Sequence, residues 1–224
     1  AGERVRIMVQ IVNAADGYHI WSERYDREVK DIFAVQDEIT LAIVDALKIK
    51  LFGDERTAAL KRGTENAEAH ELYLRGRFSW NQRTAEAVRR AADYYQEAIA
   101  QDPRYALAHA GLAECYVLYP WLSVAPPHDS MPKARTAALR ALEIDDDLAE
   151  AHAALGVYLS FYAWDQPASE RELRRAIELK PSSATAYHWL GNIALLGMGR
   201  WDGSLAAERR AGERGGEDLD RADE

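Results

Sequence analysis

The sequence contains an internal repeat, and this repeat constrains the fold more than any other feature of the chain. Residues 149–156 read AEAHAALG and residues 184–191 read ATAYHWLG, so the second block follows the first by 35 residues. Self-similarity at a period of roughly 20–50 residues is typical of arrays in which each unit packs against its neighbours. Such arrays usually bind other proteins, so the repeat indicates a binding function.

A third copy of the block lies earlier in the chain, where residues 106–113 read ALAHAGLA. Small residues occupy matching places in the three copies, and small side chains let two helices approach closely. These residues are Ala108, Ala113, Ala151, Gly156, Ala186 and Gly191.

Second helices with a common ending complete the repeated units. Residues 98–103 read AIAQDP, residues 141–146 read ALEIDD and residues 176–181 read AIELKP. Proline cannot continue a helix, so it closes the units that carry it. Apolar residues recur at helical spacing within the units, as Leu173, Ala176 and Ile177 do. Each unit is therefore predicted to be a pair of antiparallel helices.

This two-helix unit, with small residues at the helix contact and a closing proline, resembles the tetratricopeptide repeat. The resemblance covers roughly residues 66–202. It implies a mainly α-helical protein, a right-handed α-solenoid of about four helix pairs. The array is expected to span residues 66–213, with units at about 66–103, 104–146, 147–181 and 182–213.

Three departures from the repeat pattern are visible. The first unit has about three extra residues around 80–84, which leaves the register of its first helix ambiguous. The second unit has an insertion at residues 119–130, which either closes over a groove or is a solvated connector with Trp121 packed on the array. The fourth unit lacks a closing proline, and the acidic residues 214–224 are expected to form a disordered tail.

Residues 1–62 have a different pattern, which predicts a small partial α/β segment. Residues 4–12 alternate apolar and other side chains as a half-buried strand does, and a second strand to residue 25 would complete a hairpin over residues 4–25. An apolar stripe then predicts a helix over residues 31–51, with Asp31 as its cap. A connecting helix is expected at residues 54–62. Because an isolated hairpin is marginal in water, further structure is expected upstream.

Residues 5–17, 19–26 and 31–39 together resemble the end of the TolB-amino-terminal-like domain, which precedes tetratricopeptide repeats in bacterial multidomain regulators. The resemblance implies an effector upstream of Ala1. That effector is a class III nucleotide cyclase, a winged-helix DNA-binding domain or a Ser/Thr protein kinase. The chain itself contains none of the motifs of those effectors.

Charge and hydropathy limit the classes of partner. A net charge of −9 disfavours nucleic acid and anionic membranes, because both attract clustered Lys and Arg. No apolar run approaches the ~20 residues that span a bilayer, and the N-terminus does not resemble a signal peptide. We therefore expect a soluble segment of a longer protein, with a cytoplasmic location favoured and an extracytoplasmic one left open. The single cysteine, Cys115, is expected to be buried and unreactive.

Motifs for catalysis or cofactor binding are missing from the sequence. His109 and His152 occupy equivalent repeat positions, which favours a packing role over metal binding. The carboxylates of Asp145, Asp146 and Asp147 fall between two helices, where solvated capping is expected. There is no nucleophile elbow, zinc motif or phosphate-binding loop. We predict no enzymatic activity, no metal and no cofactor.

The tetratricopeptide resemblance implies that the first helix of each unit lines a concave groove. The candidate ligand contacts on these helices are Tyr73, Arg77, Trp80, Glu114, Val117, Phe161, His188 and Asn192. Aromatic and Arg side chains are good anchors, although Trp80 and Phe161 fit packing between helices equally well. Only Arg77 and Asn192 suit a peptide carboxylate, so an acidic C-terminal tail is disfavoured as a ligand. A helix or extended segment with apolar anchors is favoured.

Two functions remain in competition at this stage. The first is a noncatalytic protein-interaction and regulatory module that binds a protein or peptide in its groove. The second is an assembly segment, which packs on a second copy or on its own effector domain and controls the cyclase, kinase or transcription regulator upstream.

Overall fold

The structure, a computed structural model, describes residues 4–12, 18–28, 32–46, 63–195, 199 and 201–220. The chain divides into two compact units, Ala1–Ala67 and Glu68–Glu224. The first contains a β-hairpin and a helix, and the second contains the helical array.

The hairpin of the first unit pairs strand β1, Arg4–Val12, with strand β2, His19–Glu28, in antiparallel register. Ile7 lies opposite Tyr25, and the register becomes irregular between Ile11 and Val12. Alternate side chains of β1 are half-buried while Met8 on the other face is exposed, as the alternating pattern predicts. The second strand extends three residues beyond the predicted end at residue 25, to Glu28.

Helix α1, Ile32–Ala46, packs on β2 in the same unit. Val35 on the helix and Tyr25 on the strand are both buried. An ion pair of 3.0 Å between Arg27 and Glu38 also joins strand and helix. Residues 47–51 of the predicted helix, and the predicted connecting helix at 54–62, lie outside the described residues.

The array consists of helix pairs, each with a first and a second helix. The first helices of the pairs are α2 Ala67–Asn81, α4 Ala106–Leu118, α6 Ala149–Phe161 and α8 Ala184–Trp189. The second helices are α3 Ala85–Gln101, α5 Pro127–Ile144, α7 Gln166–Leu179 and α9 Trp201–Asp220. Helix α8 continues as a π-helical segment, Leu190–Leu195. Helix α4 packs on α3, α5 and α6, so first helices contact both their own partner and the next unit.

The ends of three second helices repeat one hydrogen-bond geometry. The backbone N–H groups of Asp102, Asp145 and Lys180 donate to the carbonyl groups of Ala98, Ala141 and Ala176, at 2.9, 2.9 and 3.0 Å. The three alanines are buried. The same local sequence therefore ends each of these helices in the same way, because a buried helix end needs its carbonyl groups satisfied.

Glycines allow the close helix contacts that the small-residue pattern predicts. A Cβ atom on Gly156 would lie 2.6 Å from Leu173 Cγ, and one on Gly111 would lie 2.6 Å from Tyr95 Cζ. Leu173 and Tyr95 are fully buried. Any side chain at either glycine would overlap with the core, so glycine is required there by packing.

Two predicted boundaries are wrong. Helix α5 begins at Pro127, so the insertion loop occupies residues 119–126 and the predicted loop residues 127–130 are helical. Proline is well suited to a helix start because its missing N–H is not needed there. Helix α9 extends to Asp220, so residues 214–220 are helical instead of belonging to a disordered tail.

The conspicuous histidines of the array make equivalent structural hydrogen bonds. Nε2 of His109 contacts the Pro103 carbonyl at 3.1 Å, and Nε2 of His152 contacts the Asp146 carbonyl at 3.0 Å. Each of these two histidines thus contacts a backbone carbonyl just before its own helix. Cys115 is buried and unpaired, as expected.

Within the described part of the chain, no helix combines the length and apolar character that crossing a membrane requires.

Candidate functional site

The predicted ligand contacts lie along the first helices of the array, a surface called here the first-helix groove. Tyr73, Arg77 and Trp80 belong to α2, and Glu114 and Val117 belong to α4. The later units contribute Phe161 at the end of α6, His188 on α8 and Asn192 on the π-helical segment. The structure divides these residues into a polar cluster near the first two units and an aromatic cluster near the last two.

The polar cluster is built around an ion pair between two units. Nη1 of Arg77 donates to Oε2 of Glu114 across 2.8 Å. The Glu114 side chain is 10% exposed and that of Arg77 28% exposed. Burial raises the pKa of Glu114 to about 7, against the opposing attraction of Arg77. Arg77 therefore already has an ion-pair partner within the protein.

Trp80 lies beneath two guanidinium groups. The Cζ atoms of Arg77 and Arg83 are 4.7 and 3.5 Å from the centre of its ring, which is cation–π geometry. Trp80 is only 5% exposed and Val117 only 2% exposed. Neither side chain offers a free surface to a ligand, and both belong to the main core cluster.

Tyr73 packs between two other tyrosines. Its ring centre is 5.8 Å from that of Tyr95 and 5.3 Å from that of Tyr105. Burial raises the pKa of Tyr73 to about 12. Its role in the structure is packing between the first two units, with part of the side chain left accessible.

The aromatic cluster joins three units. The ring of Trp121, in the insertion loop, lies 4.5 Å from Phe161 and 5.4 Å from Trp189. Trp121 therefore reaches from the second unit across the third to the fourth. Phe161 and Trp121 remain 38% and 43% exposed, so the cluster presents an aromatic surface to solvent.

A cleft of about 510 Å³ opens beside this cluster. It is lined by Arg83, Leu118, Ala184, Thr185, His188, Trp189, Glu208, Ala211 and Gly212. Residues of the first two units thus face residues of the fourth across the first-helix groove. Nδ1 of His188 is 3.2 Å from Oε2 of Glu208, and the ring of His188 is 5.1 Å from that of Trp189. Asn192 is exposed.

Two cations near the groove are neutralised by carboxylates of the chain. Arg77 is paired with Glu114, and Lys180 lies 2.9 Å from Glu150. A ligand carboxylate would have to displace these partners. The accessible aromatic rings instead suit apolar side chains, which bury large areas with few rotatable bonds.

Sequence reasoning missed three residues of this site. Arg83 falls in the stretch of ambiguous register, Trp189 lies in a block read as packing, and Trp121 belongs to the insertion. The extra residues at 80–84 were the one feature of the sequence that could have indicated a role for Arg83. The φ of 53° at Arg83 places this residue in a left-handed turn after α2.

The sequence relatives of the chain include a protein named as a cyclase and one named as a transcriptional regulator, and no protein-family model matches the chain. The chain is 37% identical over 164 residues to "putative adenylate cyclase 3" of Rhizobium meliloti (strain 1021), covering 72% of the chain and 28% of that protein. It is 25% identical over 128 residues to "transcriptional regulator HilA" of Salmonella typhimurium, covering 57% of the chain and 23% of that protein. The chain spans about a quarter of the length of these relatives.

Among solved structures, the array is similar to TTC0263, a thermophilic TPR protein of Thermus thermophilus. The TM-score is 0.55 at 22% identity, and the match covers 82% of this chain and 94% of that one. This similarity confirms the fold as that of a tetratricopeptide-repeat solenoid. The similarity to a protein named as an adenylate cyclase agrees with the cyclase-linked context that the N-terminal resemblance implies.

Proposed function

We propose that this chain is a noncatalytic protein-interaction segment of a longer regulatory protein, and that its first-helix groove binds a segment of a partner protein. The observation that carries the proposal is the exposed cluster of Trp121, Phe161 and Trp189 beside a cleft of about 510 Å³. Clefts of this size, lined by aromatic groups and a few polar ones, are typical of binding sites.

The ligand proposed for the groove is a protein segment with apolar anchor residues. An apolar side chain would pack on Phe161 and Trp121, where rings are already partly exposed. His188, whose ring lies 5.1 Å from that of Trp189, would supply a hydrogen bond, and the exposed Asn192 is a further candidate. Because Arg77 is held by Glu114, a C-terminal carboxylate is a poor fit, and the ligand is proposed to be an internal segment.

The context proposed for this binding is regulation of an effector in the same polypeptide. Both curated relatives carry names of regulatory or cyclase proteins, and the chain corresponds to about a quarter of each. A nucleotide cyclase effector is favoured because the relative with 37% identity is named as one. Recognition of a partner by the array would then control the effector, in a bacterial cytoplasmic setting.

The test is affinity capture from the source cell's lysate with three forms of the chain as bait. Phe161→Ala removes a partly exposed ring of the cluster, whereas Trp164→Ala removes a Trp that is 79% exposed and outside the cluster. The proposal predicts a partner that the unaltered chain and Trp164→Ala retain and Phe161→Ala loses. Equal retention by both variants, each with unchanged helicity, would refute groove binding.

Self-association is the second candidate function, supported by apolar side chains at the two ends of the array. Phe78 on α2 and Leu205 on α9 are 71% and 61% exposed, and Leu74 accompanies Phe78. Contact between such faces would be head to tail and would build oligomers. Sedimentation should then show a mass that rises with concentration and falls in Phe78→Ser/Leu205→Ser. A monomer at high concentration would exclude this function.

A further inference from the structure

A second cleft, of about 480 Å³, lies on the array away from the residues of the first-helix groove. It opens between α3 and α5, which are both second helices, and α4 forms its floor. The lining residues are Gln96, Ile99, His109, Leu112, Tyr116, Pro132, Lys133, Thr136, Ala137 and Arg140. None of the groove residues discussed above belongs to this set.

The floor and walls of this cleft are mainly apolar. Leu112 and Tyr116 of α4 form the floor, and Ile99 and Ala137 stand on the two walls. The hydroxyl of Tyr116 accepts a hydrogen bond of 2.9 Å from the side-chain amide of Gln96, and both residues line the cleft. Ile99 and Tyr116 are partly exposed, whereas Leu112 and Ala137 are buried, so a partner gains free energy by covering the first two.

The formal charges on the residues that line this cleft are all positive. Lys133 and Arg140 are its formally charged residues, and none of the described residues that line the cleft carries a carboxylate. Arg140 contacts Glu143 at the rim across 2.8 Å, but both side chains are exposed and such surface pairs exchange easily. Lys133 Nζ lies 5.9 Å from the centre of the Tyr116 ring. On a chain of net charge −9, the lining of the cleft is cationic and apolar, while the carboxylates of Asp93 and Asp102 act electrostatically on Tyr116 and His109 from outside the lining.

We propose that the cleft between α3 and α5 docks an amphipathic helix of a partner protein, with acidic residues facing Lys133 and Arg140. The walls are helices whose backbone groups are already hydrogen-bonded, so strand addition is excluded at this site. A helix lying over two others is the packing that the array itself repeats.

The spacing of the two cations defines the partner motif. Lys133 and Arg140 are seven residues apart on α5, which is about 10 Å along the helix axis. A partner helix running along α5 therefore carries acidic residues at positions i and i+7. Its apolar residues lie between them, at i+3 and i+4, and face Tyr116 and Ile99, which are partly exposed.

The test places the photo-crosslinker p-benzoylphenylalanine at Thr136, an exposed lining residue, in the full protein within its source cells. Crosslinked peptides are mapped by mass spectrometry and then synthesised with a fluorescent label. Their affinity is measured for the unaltered protein, for Lys133→Glu/Arg140→Glu and for Arg171→Glu/Arg209→Glu. The last variant reverses two exposed charges elsewhere and is the matched control.

The proposal predicts a crosslinked segment from another protein with acidic residues at i and i+7. Its affinity should fall at least about tenfold in Lys133→Glu/Arg140→Glu and remain unchanged in the control. Phe161→Ala should leave this affinity unchanged, which separates the site from the first-helix groove. Crosslinks to a second copy of this chain, to segments without the acidic spacing, or to nothing would overturn the proposal. An affinity that survives the charge reversal would do the same.

Discussion

Arg77 and Glu114 form an ion pair across 2.8 Å that joins the first helices of two successive repeat units. The pair lies beside Trp80, whose ring is 4.7 Å from the guanidinium carbon of Arg77. The carboxylate is nearly buried, so its environment is strongly desolvated. The stability of the first two units therefore depends on both the presence and the protonation of Glu114.

Replacing Glu114 by Ala leaves the largely buried Arg77 without its partner. We expect a loss of about 3 kcal/mol in the free energy of unfolding, which is typical of a broken buried pair. Urea unfolding followed by circular dichroism measures this change. Glu170→Ala, which removes the partner of the half-exposed Arg174, is the control and should cost under about 1 kcal/mol. A loss at Glu114 no larger than in this control would contradict the structural role of the pair.

The pKa of Glu114 predicts how stability depends on pH. Burial raises this pKa from 4.5 to about 7, so the folded state holds the proton more tightly than the unfolded state. The stabilisation that comes from this tighter proton binding is complete below pH 4.5 and is lost as the pH rises to about 7, whereas the ion pair with Arg77 forms as the carboxyl ionises. The unfolding free energy of the unaltered protein, relative to that of Glu114→Gln, should therefore fall between pH 4.5 and pH 7.5. A difference that stays constant with pH would show that the carboxyl titrates normally.

His152 predicts a second pH effect with the same direction and a different cause. Its hydrogen bond of 2.7 Å to Glu172 raises the pKa of the imidazole above 6.5. The stabilisation is present below pH 6.5 and is lost as the pH rises through the higher folded-state pKa. Proton NMR should show His152 titrating above 6.5, and Glu172→Gln should lower that pKa. A pKa at or below 6.5 in the unaltered protein would contradict the pairing.

Gly111 is predicted to tolerate no side chain. A Cβ atom there would lie 2.6 Å from the fully buried ring of Tyr95, and that ring also contacts Gly76. Gly111→Ala should destabilise the protein by about 1–3 kcal/mol in urea unfolding, as overpacking does. Gly212→Ala is the matched helical control, because nothing lies within 4 Å of its Cβ position. It should be neutral or slightly stabilising.

Trp121 is predicted to hold the fourth unit in place. Removing its ring in Trp121→Ala should speed amide hydrogen exchange in α8, where Trp189 would lose its contact. Trp164→Ala, which removes a ring exposed to solvent, should leave exchange in α8 unchanged. Equal exchange in the two variants would mean that the contact between Trp121 and Trp189 contributes nothing to the order of this unit.

Local sequence predicts local structure well in this protein. The alternation around Ile7 predicts β1, and the repeated endings at Ala98, Ala141 and Ala176 predict where three helices stop. These features depend on residues within one or two turns. The π-helical continuation of α8 has no such local signal.

Long-range features escaped prediction for physical reasons. Trp80 packs against Arg83, whose left-handed turn lies among the extra residues that leave the repeat register ambiguous. Helix α9 passes through Gly215 and Gly216 because a helix already nucleated by packed turns, with Ala207 and Ala211 buried, extends at small cost per residue. The contact of Trp121 with the fourth unit depends on how far the chain curves between the second and fourth units. No short motif specifies this curvature.

A solenoid whose units touch only their neighbours behaves mechanically like a flexible coil and frays from its free end. The indole of Trp121 contacts Trp189 two units away and so links the second unit directly to the fourth. Separating the last helices from the array would first have to break the contact between Trp121 and Trp189. The second, third and fourth units are therefore expected to respond to tension as one stiff element.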